Sequence, residues 1–505
     1  MRKRNLAYNT DDTIVAVSTP LGEGGIGIVR LSGRKALSIA DKIFASKDKS
    51  KPSEFKTYTT HYGYIIRHAS LRAPTKSGRN NPIEIASSPS APRNDRNRYA
   101  EIIDEVILTV MRAPKSYTTE DVVEINCHGG IVPLRRVLDL TLSHGARLAQ
   151  PGEFTKRAFI NGRIDLTQAE AVLDIIRSRT DSFMKVALGH LEGGLSNKIR
   201  SLKEKLLDIL SELEARIDFS EDDIELMPKE DLSKKLDISS VEIKKLIDDA
   251  WKGMILKEGI MCVICGKPNA GKSSLMNTLL RRSRVIVTPV PGTTRDAIEE
   301  EINLKGIPIR VVDTAGISEA RDIVEKHGIR KSKSYIKLAD IILFVLDLSK
   351  RWSRMDEKIF NDIKSRKFII IANKSDLPVK LDLNKVKKML NSKPGKPEDE
   401  IIEISMLRKR NLDRVEDAIL KKIWHGEIPH PEGAFVTNLR HRKDLEAAHK
   451  CIREAIKALE KKSTVFPEIV ASEVKEAVFF LNSILGDAIE PDILDRIFSK
   501  FCIGK

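Results

Sequence analysis

The chain has 505 residues, with 87 Lys plus Arg against 72 Asp plus Glu and a formal net charge of +15. At 41% apolar and 31% charged residues it has material for about three packed domains, which excludes a wholly disordered chain. The basic excess points towards nucleic acid or another polyanion as a partner without identifying one. The most apolar stretch, Ile341 to Leu346, is strand-sized, far below the ~18 residues of a membrane span. The basic start Met1-Arg2-Lys3-Arg4 leads into polar residues, so no secretion signal is expected. Cys127, Cys262, Cys265, Cys451 and Cys502 are few and scattered, as in a reducing, cytoplasmic protein rather than a disulfide framework.

Residues 13–32 read as strand, glycine-rich loop and strand. Residues 106–111 and 122–126 are further short strands, and Pro133–Ser143 has a helical pattern, so region 1–161 is an α+β domain. Within it, residues 73–100 are rich in Pro, Ser, Asn and Arg and have no period. They are expected to form a disordered surface insertion, with a basic arm gripping RNA as the alternative. From Thr167 the period becomes helical, and Thr167-x-x-Glu170 reads as a capping box. Leu195, Ile199, Leu202, Leu206, Leu210, Leu213 and Ile217 make one long apolar stripe, and another helix runs from about Leu232 to Trp251. After Gly259 short apolar runs alternate with helices, which signals an α/β domain over 258–425. Around Pro429–Pro431 the helical period returns for Leu439–Leu459, Glu468–Leu485 and Pro491–Phe501. The α/β domain therefore interrupts a discontinuous α-helical domain, 162–257 and 426–505. Its halves must pack together, because neither stripe is buried alone.

The α/β segment carries the chemistry. The strand Met261–Cys265 runs into Gly266-Lys-Pro-Asn-Ala-Gly271-Lys272-Ser273, and a helix follows. This is the strand–loop–helix context of a phosphate-binding loop. Backbone N–H groups of Asn269, Ala270 and Gly271 face phosphates, Lys272 reaches the β and γ phosphates, and Ser273 ligates Mg²⁺, with Ser274 next to it. Asp313-Thr314-Ala315-Gly316 follows the strand Ile307–Val312, where the Asp holds the Mg²⁺ shell and the Gly316 N–H senses a γ phosphate. Asn373-Lys374-Ser375-Asp376 follows the strand Phe368–Ala372. Its carboxylate accepts the guanine N1–H and amine bonds that adenine does not offer. Thr293-Thr294-Arg295-Asp296 lies where a Mg²⁺-binding switch Thr belongs. Four motifs in this order define a Ras-like P-loop GTPase domain that binds nucleotide at the sheet's ligand edge. The Gln that orients water in Ras-type sites is replaced by Ile317, so another group must act, and Glu325 is a candidate against a solvated carboxylate. Two apparent motifs are rejected. Cys262-x-x-Cys265 sits in a buried strand with its residues on opposite faces, and Cys502-Ile-Gly-Lys505 has the wrong residues for prenylation.

From end to end, apart from 73–100, the chain resembles the MnmE (TrmE) family of tRNA-modification GTPases. The carrying segments are TPLGEGGIGIVRLSG, EDVVEINCHGG, PGEFTKRAFINGRIDLTQAEA, the GTPase motifs and the terminal FCIGK. The resemblance implies a cytoplasmic homodimer joined through N-terminal domains that bind a tetrahydrofolate derivative. It also implies a GTPase activated by K⁺, a cation that does the work of an arginine finger. With an MnmG-like FAD protein, in a heterotetramer, such a protein adds an aminomethyl or carboxymethylaminomethyl group to C5 of the wobble uridine of certain tRNAs. No membrane is involved.

By matching position, Asn269, Thr288, Val290 and Thr293 correspond to K⁺ ligands, and Ser273 and Thr294 to Mg²⁺ ligands. Pro289, Pro291 and Gly292 complete the nucleotide-binding switch segment, and Ser405 the guanine-supporting loop, where Ser-Met replaces the usual Ser-Ala. Glu325 matches the water-orienting acid. Arg30, Glu124, Arg163 and Lys505 match folate-contacting positions, with Arg163 standing where relatives carry Lys. Cys502 matches the terminal Cys and joins Lys272 and Glu325 as a catalytic candidate; a thiol nucleophile and a packed hydrophobe both remain open for it. Other readings are a ribosome-assembly GTPase, which lacks support because 430–505 show no GXXG module, and a nucleotide-dependent switch without modification chemistry.

Overall fold

The computed structural model describes residues 11–68, 100–218, 227–282, 284–285, 299–313, 333–391, 401–424, 435–460 and 467–505. The chain divides into two compact units, Met1–Glu170 with Gly486–Lys505, and Ala171–Leu485.

The first unit is built on a seven-stranded sheet. Its strands are β1 (Ile14–Val17), β2 (Gly24–Ser32), β3 (Phe44–Ser46), β4 (Thr59–His68), β5 (Ala100–Met111), β6 (Val122–Gly129) and β7 (Arg147–Leu148), in the order β3-β4-β5-β6-β2-β1-β7. Every neighbour pair is antiparallel except β1 with β7. Helices α1 (Ala36–Ile43) and α2 (Ile131–Ser143) cover one face, where Val29, Leu31, Val123 and Ile125 are buried against Ile39, Ala40 and Val137. The two-residue period of a strand turns Arg30 and Glu124 to the opposite face, directly across from each other in the β2–β6 register. Helix α3 (Glu153–Ile160) lies beside the C-terminal helix Pro491–Phe498, with the Phe159 and Phe498 rings 6.3 Å apart and Lys156 Nζ 2.6 Å from Asp495. The expected insertion falls outside the described residues, except that Ala100 already belongs to β5, which starts six residues before the expected strand at 106.

Helix α4 (Leu166–Ile176) corrects the expected cap. Thr167 is inside the helix, and the box is Asp165 with Gln168: Gln168 N donates to Asp165 Oδ1, and Asp165 N donates to Gln168 Oε1, both at 3.0 Å. Aspartate and threonine are both good caps, so pattern alone placed the start two residues late.

In the second unit, α5 (Asp181–Leu191) is capped by Thr180, whose hydroxyl accepts from Phe183 N. The stripe of α6 (Gly194–Asp218) packs with α7 (Lys229–Glu258), which is longer at both ends than its pattern suggested. The second sheet uses β8 (Ile260–Gly266), α8 (Lys272–Arg282), β9 (Arg284–Val285), β10 (Glu299–Leu304), β11 (Ile307–Asp313), β12 (Ile341–Asp347), α9 (Arg354–Ile363), β13 (Phe368–Asn373), α10 (Leu383–Asn391), β14 (Ile401–Glu403) and α11 (Leu412–Trp424). Its order is β14-β13-β12-β8-β11-β10-β9, parallel from β14 to β11 and antiparallel beyond. Both faces of the central strands are covered. Cys262 and Ile264 enter one core and Val263 and Cys265 the other, as the period of a strand requires. Helices α12 (Leu439–Glu460) and α13 (Pro467–Leu485) bury Leu445, Ile452, Val474 and Leu481 with Leu202 and Leu206 of α6 and Leu236 and Ile243 of α7, so the two separated helical segments do share one core. The last helix ends at Phe498, three residues before the expected Phe501.

Asp165→Ala removes the observed cap and should cost about 1–2 kcal/mol of stability, read as a lower midpoint in denaturant unfolding. A midpoint equal to wild type would mean that the cap carries no weight.

Candidate functional site

The central strand β8 ends on Gly266, and the loop that follows wraps back into α8 at Lys272. Gly271 has φ +105°, and a Cβ there would run into the Asn373 amide, so only glycine fits this close approach. Asn269 also adopts a left-handed φ of 62°, a conformation that Asn tolerates better than most residues. Lys272 is 6% exposed, and its ammonium donates to the Lys267 carbonyl at 2.9 Å. Asn373 Nδ2 donates to the Ala270 carbonyl at 2.9 Å, tying the loop to the end of β13.

Ser273 Oγ donates to Asp313 Oδ2 at 2.7 Å, and Asp313 is 2% exposed at the end of β11. A hydroxyl and a carboxylate brought together at strand ends form the hard oxygen set that suits Mg²⁺. Ser274 is exposed on the first turn of α8.

Past β13, Lys374 has φ +68°, and its ammonium is 2.7 Å from Asp347. Burial works against the Asp347 charge, but the bonds from Lys374 and Ser349 outweigh it and hold the carboxyl below its ordinary range. Asp376 is exposed, and its Oδ1 accepts from Ser405 Oγ at 2.5 Å. Met406 N donates to Asn373 Oδ1 at 3.3 Å, so the Ser-Met loop is tied through its backbone to the end of β13. Asp347 was missed in the sequence; its signal is a charged residue closing the apolar run of β12. Burial pushes the Cys262 and Cys265 thiols up to about 12, which keeps both protonated near neutral pH.

Thr288, Pro289, Val290, Pro291, Gly292, Thr293, Thr294, Thr314, Ala315, Gly316 and Glu325 lie outside the described residues.

A second polar constellation lies in the first unit. Arg30 Nε donates to Glu124 at 2.6 Å and Arg30 Nη1 to the Gly504 carbonyl at 3.0 Å, which joins residues from both ends of the chain. Gly504 has φ +92°, and a Cβ there would meet the Val17 carbonyl. The Arg30 guanidinium is 5.7 Å from the Phe154 ring and 5.9 Å from the Tyr117 ring, and that of Arg163 is 4.6 Å from Tyr117. Tyr117 is fixed by a 2.9 Å hydrogen bond between its hydroxyl and Thr155 Oγ1. Tyr117 and Phe154 carried no signal of their own in the sequence. Arg163 Nε is buried and has no hydrogen-bond partner among the described residues. Lys505 N donates to the Cys502 carbonyl at 3.3 Å, and Cys502 is exposed.

A parallel sheet with this phosphate loop, this oxygen pair and an Asp held by a serine at the base position defines a P-loop guanine-nucleotide hydrolase. A family model for the MnmE helical domain matches residues 166–502, and one for the GTP-binding protein TrmE N-terminus matches 13–163. The tRNA modification GTPase MnmE of Alkaliphilus oremlandii (strain OhILAs) is 44% identical over 98% of this chain and 99% of its own. That of Bacillus subtilis (strain 168) is 41% identical over 98% and 100%. The chain belongs to the MnmE family of tRNA modification GTPases. Among solved structures, an Aquifex aeolicus Era variant bound to GDP and AlF4⁻ is 30% identical over 38% of this chain and 66% of its own, at a TM-score of 0.27.

Ser405→Ala removes the bond that orients Asp376. It should weaken GTP binding roughly tenfold or more, the scale of a hydrogen bond to a charged group, and narrow the preference for GTP over ATP. Unchanged selectivity in competition binding would show that Asp376 needs no such support.

Proposed function

We propose that this chain is a K⁺-activated GTPase that works on tRNA. With an MnmG-like, FAD-dependent partner in a heterotetramer, it adds an aminomethyl or carboxymethylaminomethyl group to C5 of the wobble uridine, the carbon coming from a tetrahydrofolate derivative. The observation that carries the reading is the second constellation. A switch that only binds and hydrolyses GTP has no use for Arg30, Glu124 and Arg163 gathered around Tyr117 and the C-terminal Gly504. Guanidinium groups beside aromatic rings suit a flat, carboxylate-bearing ligand such as a folate. Lys505 adds a cation at the chain's end, and the exposed Cys502 thiol is accessible to a reacting group. Exposed Ile26, Ile102, Ile131 and Val132 in the first unit support a homodimer through that unit. A cytoplasmic location agrees with four buried free cysteines and with the lack, among the described residues, of a helix long and apolar enough to cross a membrane.

In hydrolysis, Lys272 neutralises charge on the β and γ phosphates, and backbone N–H groups of the loop orient them. Ser273 and Thr294 would hold Mg²⁺, and Asn269, Thr288, Val290 and Thr293 would hold K⁺; together these cations supply neutralisation of the charge between the phosphates. Glu325, the position that matches the family's water-orienting acid, orients the attacking water in place of Ile317, which has no group to do so. Asp376 selects guanine.

GTP turnover should rise strongly in K⁺ over Na⁺ at equal ionic strength, and equal rates would sink the cation reading. Glu325→Ala should lower kcat by roughly 10²-fold with GTP affinity nearly intact; normal turnover would return Glu325 to a solvated carboxylate. Mass analysis of wobble nucleosides in tRNA from cells lacking the chain tests the modification itself, with loss of the C5 substituent as the expected result.

A further inference from the structure

The phosphate-binding loop has an electrostatic tether that its motif does not announce. Lys267, the first residue after the glycine that closes β8, points its ammonium at Asp356 Oδ2, 2.6 Å away. Asp356 lies in the first turn of α9, far along the chain, and is 1% exposed. The same Oδ2 accepts from Ser353 N and Ser353 Oγ, each at 2.8 Å, which completes a capping box. Oδ1 is buried with no hydrogen-bond partner among the described residues.

A carboxylate in a helix's first turn gains from the backbone dipole and needs no lysine as a cap. A carboxylate removed from water does need a cation, because burying a lone charge costs several kcal/mol. Lys267 supplies it, with a side chain only 17% exposed and a further approach of 3.4 Å to Ser353 Oγ. The tether therefore fixes the stem of the loop to α9.

The backbone of the same residue is where the loop closes on itself. The Lys267 carbonyl accepts from Lys272 Nζ at 2.9 Å and from Ala270 N at 3.3 Å. One residue, held at its side-chain end by Asp356, thus presents the carbonyl that seats the phosphate-reaching lysine and shapes the turn before it. Rigid support of this kind decides whether donors already point at a ligand or must be ordered when it binds.

We propose that Lys267 is a positioning residue for guanine nucleotide. Through its buried ion pair with Asp356 it holds the first half of the phosphate-binding loop in its receiving conformation, without touching the nucleotide.

The test uses the full-length chain and four variants: Lys267→Met, Asp356→Asn, the double variant and Lys267→Arg. GDP affinity is measured by calorimetry, and GTP turnover by steady-state kinetics. Lys267→Met should raise the GDP dissociation constant and the GTP KM roughly tenfold, with a much smaller change in kcat. The loop would then be ordered during binding, a loss shared by ground and transition states. Asp356→Asn should move the same quantities in the same direction. The double variant should be no worse than the weaker-binding single one, because both substitutions remove one interaction. Lys267→Arg, which keeps a charge within reach, should recover most of the affinity. Losses that add in the double variant would mean that Lys267 acts on the nucleotide directly, and the proposal fails. A lower melting temperature with wild-type GDP affinity would reduce the pair to a stabilising contact and overturn it equally. Should Lys267→Met not fold, Asp356→Asn decides alone, since it keeps the shape of the cap; unchanged GDP affinity there refutes the tether.

Discussion

A parallel sheet buried on both faces has one place for polar chemistry, the ends of its strands. Every side chain of β12 and β13 is buried, and β8 is almost as enclosed, so a charge in the middle of these three strands would have neither water nor a partner; in β11, Arg310 stands mid-strand only because it is partly exposed and its guanidinium lies 3.9 Å from Glu301. The polar residues Asp313, Asp347 and Asn373 each occupy the last position of their strands, and Gly266 the last position of β8. Parallel strands bring these carboxyl ends to one edge. The site is thus a consequence of how the core is buried, and the loop at β8 has neighbours to bind because β11, β12 and β13 end beside it.

The first unit follows a different rule. Its sheet is antiparallel over most of its width and covered by α1 and α2 on one face, so alternate residues of β2 and β6 are free to be polar. Arg30 and Glu124 use that freedom at one register position. The third partner, the Gly504 carbonyl, comes from the other end of the chain, because the last twenty residues, Gly486–Lys505, belong to this unit. Everything between must fold so as to return the chain there.

This contrast explains what was legible in the sequence. The phosphate loop, Asp313 and the Asn373–Asp376 run are local patterns at strand ends, and their positions follow from the strand pattern alone. Cys262 and Cys265 were correctly read as core residues, since a two-residue period sends them to opposite faces. Tyr117 and Phe154 were not legible, because an aromatic residue beside an arginine is a tertiary fact without a local spacing. The Asp165 cap was misplaced for another reason: two adequate caps stand two residues apart, and only packing chooses between them. The short β3, β7 and α1 also escaped notice, being too brief to show a period.

The strand-end site has a further property. Its described polar groups are bonded to one another: Lys272 to the Lys267 carbonyl, Ser273 to Asp313, Asn373 to the Ala270 carbonyl, and Ser405 to Asp376. A nucleotide phosphate or a metal ion must exchange for some of these bonds rather than add to them, so its net gain is a difference between paired states. Bonds that face away from the ligand need no exchange. Asp347 with Lys374 and Asp356 with Lys267 each join a nearly buried carboxylate to a lysine of a nucleotide-binding segment, and breaking either pair would leave a charge buried without its counterion.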